Sequence, residues 1–148
     1  RIGDIHEPLY KKFNISSPKY QNNDKLGSYS KCGINDYDCE ISYWKNTDII
    51  TSSRDMGEFQ FLIDSIPPTI EADKITQQNI VFKIDDNLSG IGKIDAYLNG
   101  NWLLMNYDYK TKKIWAEPLK KNILVKGDLS IEISDNQGNI AKFAKKIP

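Results

Sequence analysis

Ile94-Asp95-Ala96-Tyr97-Leu98-Asn99-Gly100-Asn101-Trp102 is the stretch on which the fold turns. Ile94, Ala96 and Leu98 alternate with Asp95 and Tyr97. A period of two places one set on each side of an extended chain, as in a strand with one buried face. Asn99-Gly100 follows at once. Both residues tolerate positive φ, which a tight hairpin turn demands. The pair is therefore expected to join a strand ending near Leu98 to one carrying Trp102 and Leu104.

The same period recurs on either side. Ile80, Phe82 and Ile84 alternate with Val81, Lys83 and Asp85, and Leu129, Ile131 and Ile133 alternate with Ser130, Glu132 and Ser134. Asp86-Asn87-Leu88-Ser89-Gly90 and Asp135-Asn136-Gln137-Gly138-Asn139 read as turns. Further strands are expected around Ile114 and Ala116 and from Ile140 to Lys145. Six or seven short strands in about 80 residues predict an immunoglobulin-like β-sandwich.

Upstream the pattern is less regular. Phe13-Asn14-Ile15, Cys39 to Trp44 and Phe59 to Ile63 read as strands, and Ser16 to Lys25 as a polar loop. In Ile66-Pro67-Pro68-Thr69 two prolines remove two amide donors and favour an extended connector. The predicted organisation is all-β, with a small or partial β unit over residues 1–66 and the sandwich over 67–148. Each half is short for an independent core. Either the two pack together, or the first completes a sheet supplied by sequence before Arg1.

The 148 residues include 20 basic and 20 acidic side chains, for a net charge of zero. Such a balance provides no global field for nucleic acid or an anionic membrane. No apolar run approaches the roughly 20 residues of a membrane helix. No stretch has the make-up of a secretory signal, and the chain begins at Arg1 rather than Met. An export signal, lipid anchor or neighbouring domain is expected to lie outside these residues.

Cys32 and Cys39 enclose six residues, Gly33 to Asp38. That span could close as a disulfide in an oxidising compartment, with two free thiols as the alternative. A small closed loop would contribute modestly, because it removes little unfolded-state entropy.

A wider pattern links these pieces. Ile49-Ile50-Thr51-Ser52-Ser53-Arg54-Asp55-Met56-Gly57-Glu58-Phe59 leads into Asp64-Ser65-Ile66-Pro67-Pro68-Thr69-Ile70. Ile84-Asp85-Asp86-Asn87-Leu88-Ser89-Gly90-Ile91, Leu98-Asn99-Gly100-Asn101-Trp102 and Asp135-Asn136-Gln137-Gly138-Asn139 follow in that order. The order resembles the C-terminal region of exported lysostaphin-like zinc metallopeptidases of Gram-negative bacteria. In that family β-sandwich modules of this kind follow a murein-hydrolase-type domain. The catalytic zinc there needs two histidines and an aspartate, with a further histidine close by. This chain has one histidine, His6, and cannot rebuild such a site. The resemblance therefore implies a non-catalytic accessory, interaction or spacer region, partnered by a catalytic domain of the same parent protein. It implies export to the periplasm, the outer-membrane surface or the medium.

Candidate sites follow from residue type. Asp64, Asp85, Asp86, Asp135, Asn136 and Asn139 lie at strand ends or turns. Loops at one end of a sandwich cluster, so Asp85, Asp86, Asp135 and Asn139 could hold a weak structural calcium with oxygen ligands. The same residues also suit Asx-turns that bond nearby amides. Tyr107, Tyr109 and Trp115 could stack on sugar rings and bind cell-wall glycan, while ordinary cross-strand pairing would use them equally well. Trp102 is expected to plug the sandwich core. Lys110, Lys112, Lys113, Lys120, Lys121 and Lys126 form a loose basic group suited to a solvated face or to anionic envelope polymers. A carboxylate pair such as Asp85 with Asp135 could serve acid–base chemistry, but nothing in the sequence argues for the cleft it would need. No catalytic residue and no cofactor beyond calcium is expected.

Overall fold

The computed structural model describes residues 11–16, 23–34, 37–53, 57–116 and 125–148, with backbone alone for 11–16. His6, Lys120 and Lys121, most of the Ser16–Lys25 loop and the Arg54-Asp55-Met56 part of the quoted motif lie outside these residues. The described residues are strands and turns, with no helix among them. The chain divides into two compact units, Arg1–Asp64 and Ser65–Pro148.

The first unit holds β1 (Lys11–Ser16), β2 (Leu26–Lys31), β3 (Tyr37–Lys45), β4 (Asp48–Ser53) and β5 (Phe59–Ile63). They form one antiparallel sheet in the order β1-β4-β3-β2-β5. Asn46 takes φ 57°, which lets the β3–β4 hairpin close in a tight turn. Leu26, Tyr29, Ile49 and Ile50 are buried, together with Ser28, Ser30, Thr51 and Ser53. The unit thus buries hydroxyls as well as apolar side chains. Trp44 fixes its indole by donating Nε1–H to the Asn23 carbonyl at 3.1 Å.

The expected disulfide is corrected by the register of this sheet. Cys39 lies opposite Tyr29, and Lys31 opposite Tyr37, so Cys32 falls beyond the paired end of β2. Three residues of extended strand, about 10 Å, separate it from the position facing Cys39, whereas a disulfide needs Cα atoms about 4.4–6.8 Å apart. The two cysteines are not joined by a disulfide. Cys32 Sγ instead donates to Asp38 Oδ2 at 2.9 Å.

The second unit holds β6 (Thr69–Ile75), β7 (Ile80–Asp85), β8 (Ile91–Leu98), β9 (Asn101–Trp102), β10 (Met105–Asp108), β11 (Lys113–Ala116), β12 (Gly127–Asp135) and β13 (Ile140–Ile147). They form two four-stranded antiparallel sheets, β10-β11-β7-β6 and β13-β12-β8-β9. Ile80, Phe82, Ile84 and Ile114 of the first sheet share one buried cluster with Ala96, Leu129, Ile131 and Ile133 of the second. Phe82 meets Phe143 edge to face, with ring centroids 4.8 Å apart. Each such side chain removed from water contributes about 1.5–3 kcal/mol. The unit is a β-sandwich held by the alternate residues of its strands.

Asn99 and Gly100 have φ of 52° and 76° and turn β8 into β9. The strand expected to carry both Trp102 and Leu104 is shorter than that. β9 ends at Trp102, and the chain crosses to the other sheet as β10. Gly92 is the bulged residue of β8, skipped between Ile91↔Asp135 and Lys93↔Ser134. A Cβ there would stand 2.6 Å from the Asp135 carbonyl oxygen.

Candidate functional site

Cross-strand partners in an antiparallel sheet point to the same side. In the β13-β12-β8-β9 sheet, Leu98, Ala96 and Ile94 lie opposite Leu129, Ile131 and Ile133 and face the core. Tyr97, Asp95 and Lys93 therefore stand on the outer face with Ser130, Glu132 and Ser134. Trp102 pairs with Tyr97 and joins that face. It is 63% exposed, and Tyr97 is 39% exposed. This corrects the expectation that Trp102 fills the core. Leu103, the next residue, packs against the core instead, and its amide donates to the Ala96 carbonyl at 2.8 Å.

One row crosses all four strands on this face: Ala144 of β13, Ser130 of β12, Tyr97 of β8 and Trp102 of β9. The neighbouring row is Lys142, Glu132 and Asp95. Lys142 Nζ pairs with Glu132 at 2.6 Å, and Lys93 Nζ with Asp95 at 2.7 Å. The Asp95 carboxylate beside it, by hydrogen bond and then by charge, raises the Lys93 ammonium above its ordinary value. Asp95, Tyr97, Ser130, Glu132, Lys142 and Ala144 line a shallow depression of about 490 Å³, and Trp102 stands beside Tyr97. Aromatic faces at one end and acceptors and donors along one side suit a flat, polyhydroxylated ligand.

The other aromatic candidates do not share a face. Tyr107 lies opposite Ile114, whose side chain is in the core, so Tyr107 points to the inner side at the sheet's open edge. Burial first, then Asp85, raises its hydroxyl above the usual 10.0. Trp115 lies opposite Asn106 and Val81 and points outward. Tyr109 belongs to the turn after β10, under the Lys110 ammonium 5.8 Å from its ring centre. Tyr107, Tyr109 and Trp115 therefore make no common platform.

The acidic turns meet at one end of the sandwich. Asp86 Oδ2 accepts from the amides of Leu88 at 3.1 Å and Gly90 at 2.7 Å. Asp135 Oδ1 accepts from the amides of Gln137 at 2.9 Å and Asn139 at 2.8 Å, and its Oδ2 from Asn139 Nδ2 at 2.6 Å. Asn136 Nδ2 donates to the Ser89 carbonyl at 2.6 Å and laces the two turns together. These are Asx-type turn bonds. A carboxylate oxygen of Asp86 and one of Asp135 lie within 4.8 Å of each other, a spacing at which the pair could hold a cation. Asp85 is turned elsewhere. It follows inward-facing Ile84 on β7, so it points outward and meets Lys112 Nζ at 2.6 and 2.8 Å. Asp64 is buried at the end of the first unit, its amide donating to the Lys25 carbonyl at 2.9 Å.

The basic group is partly neutralised. Lys112 is paired with Asp85, and Lys113 Nζ lies 2.9 Å from Asp73. Asp73 is the extra residue of a bulge between Ala72 and Lys74, which turns its carboxylate towards Lys113. The hydrogen bond and charge of Lys113 hold that carboxyl below its ordinary value. No described helix is long and apolar enough to cross a membrane.

No family model matches the chain. No curated protein matches it. Among solved structures, the crystal structure of an apo expansin from Clavibacter michiganensis aligns with 93% of this chain and 76% of that one. Its TM-score is 0.40 and its sequence identity 10%. A likeness at that level assigns neither a family nor a function.

Proposed function

We propose that this chain is a non-catalytic accessory region of an exported cell-envelope protein of the peptidase type, and that its second unit holds cell-surface glycan. The order of motifs from Gly57 through Pro68 to Asn139 supports the peptidase association, the immunoglobulin-like kinship of the sandwich and the location outside the inner membrane. The single histidine supports the assignment of catalysis to a neighbouring domain.

One observation carries the glycan reading: Tyr97 and Trp102 stand side by side, exposed, on the outer sheet face. A large aromatic ring normally gains by leaving water, with about 150–250 Å² to bury. Sugar rings offer it a C–H face, while Asp95, Glu132 and Lys142 offer hydroxyls their hydrogen-bond partners. The surface used is therefore Tyr97 and Trp102, in place of Tyr107, Tyr109 and Trp115.

Co-sedimentation with peptidoglycan sacculi, chitin and cellulose tests the reading. Binding to at least one, quenched tryptophan fluorescence and loss of both in Trp102→Ala are expected. Failure to bind any glycan overturns it. Murein hydrolysis by this chain alone would overturn the non-catalytic assignment.

A further inference from the structure

We infer that the outer face of the second sheet takes an uncharged polysaccharide, laid across the strands rather than along them. The inference rests on the glycan reading and adds the charge class and path of the ligand.

The path follows from side-chain height. The row Ala144-Ser130-Tyr97-Trp102 begins with two small exposed residues and ends in two aromatic rings. On one side rises the charged row Lys142-Glu132-Asp95. On the other stands the cross-strand pair Asp128 and Lys146. Small residues between taller charged ones make a trough over β13 and β12, and the two rings continue its line over β8 and β9. Four strands spaced about 4.8 Å apart give it a length of about 14 Å, enough for two or three sugar rings. A chain running along β8 would leave Tyr97 and meet Asp95 and Lys93, already bound to each other at 2.7 Å. Across the strands it meets Ser130 and Ala144, which leave room.

The charge class follows from the walls. Lys93, Lys142 and Lys146 face Asp95, Glu132 and Asp128, and two of these pairs are closed ion pairs. The trough thus has no net charge with which to attract an anionic polymer. Its carboxylates keep lone pairs that accept from hydroxyls, and its ammonium groups keep hydrogens that donate to them. Uncharged hydroxyls match this set, and an anionic sugar would gain no net attraction from it.

Affinity electrophoresis of the full chain through gels holding soluble β-glucan, galactomannan or polygalacturonate tests this. At least one neutral polymer is expected to retard the protein, and polygalacturonate is not. Binding should change less than about twofold between low and high salt, because no net charge is screened. Trp102→Ala should weaken it about tenfold, the loss of one stacked ring. Ser130→Trp should weaken it at least as much by filling the trough. Unchanged melting temperatures certify that these surface variants are folded. Preferential, salt-sensitive retardation by polygalacturonate would overturn the uncharged class while leaving the glycan reading intact. Sensitivity to Trp102→Ala without sensitivity to Ser130→Trp would overturn the path alone. Absence of binding to every glycan would remove the underlying reading and this inference with it.

Discussion

Trp102 lies directly across the β8–β9 hairpin from Tyr97, and both rings stand on the solvent side of the sheet. Trp102→Ala should therefore change the stability of the second unit by no more than about 0.5 kcal/mol. Phe82→Ala removes a ring with 0% exposure and should cost about 3–5 kcal/mol. Urea denaturation of both variants checks the contrast. A loss in Trp102→Ala comparable to Phe82→Ala would return Trp102 to the core.

Asp135 binds its own turn through three hydrogen bonds at 2.6–2.9 Å and is 3% exposed. Removing the carboxylate orphans two amides and an Asn139 side chain. Asp135→Ala should destabilise the unit by about 3 kcal/mol, as measured by chemical denaturation. Because these oxygens are already engaged, the melting temperature should be the same in calcium and in chelator. A rise with calcium would instead assign Asp86, Asp135 and Asn139 to a cation.

Gly92 permits the bulge at which β8 touches β12. A Cβ there would meet the backbone oxygen and carbon of Asp135 at 2.6 and 2.9 Å, and backbone does not move aside. Gly92→Ala should cost about 1–3 kcal/mol. Gly57→Ala, with nothing within 4 Å of its new methyl group, serves as the neutral control in the same melts.

Cys32 is exposed, yet it should react slowly. Its thiol donates to Asp38, and that bond, then local desolvation, then the carboxylate's charge push it above the usual 9.0. The thiolate is the reactive form, so little is present at neutral pH. Asp38→Asn should raise the rate of iodoacetamide alkylation at Cys32 severalfold, followed by mass spectrometry.

Asp108 caps the turn into β11. It accepts from Thr111 Oγ1 at 2.8 Å and from the Lys110 amide at 2.9 Å, which hold its carboxyl below the ordinary 3.8. A depressed pKa contributes stability that is present above the unfolded value and lost as pH falls through the folded one. Carboxyl NMR titration should place Asp108 below a free aspartate, and Thr111→Val should move it back up.

Much of the second unit was legible because its cause is local. The alternation of Ile80-Phe82-Ile84, Ile94-Ala96-Leu98 and Leu129-Ile131-Ile133 appears in the structure as the two inner faces of a sandwich. β6 and β10 were harder to see, because edge strands are half exposed and carry charges where a central strand carries isoleucine. β2 and β4 hid for another reason. Their burial runs through consecutive residues, Leu26 to Ser30 and Ile49 to Thr51, and includes serines that no period marks.

Local pattern along the chain is enough for the all-β class, the core isoleucines of the second unit and the hairpin at Asn99-Gly100. Each depends on neighbours along the chain: a period of two, or a residue pair that accepts positive φ. Strand pairing, by contrast, is what turns Trp102 to water beside Tyr97, parts Tyr107 and Trp115 to opposite faces and leaves Cys32 beyond reach of Cys39. Those outcomes depend on register, and a shift of one residue reverses the side on which every following side chain falls. Register is set by pairing between segments distant in sequence. The two residues of β9 have too little alternation to announce it, so the surface read as glycan-binding emerged where the sequence had placed a core residue.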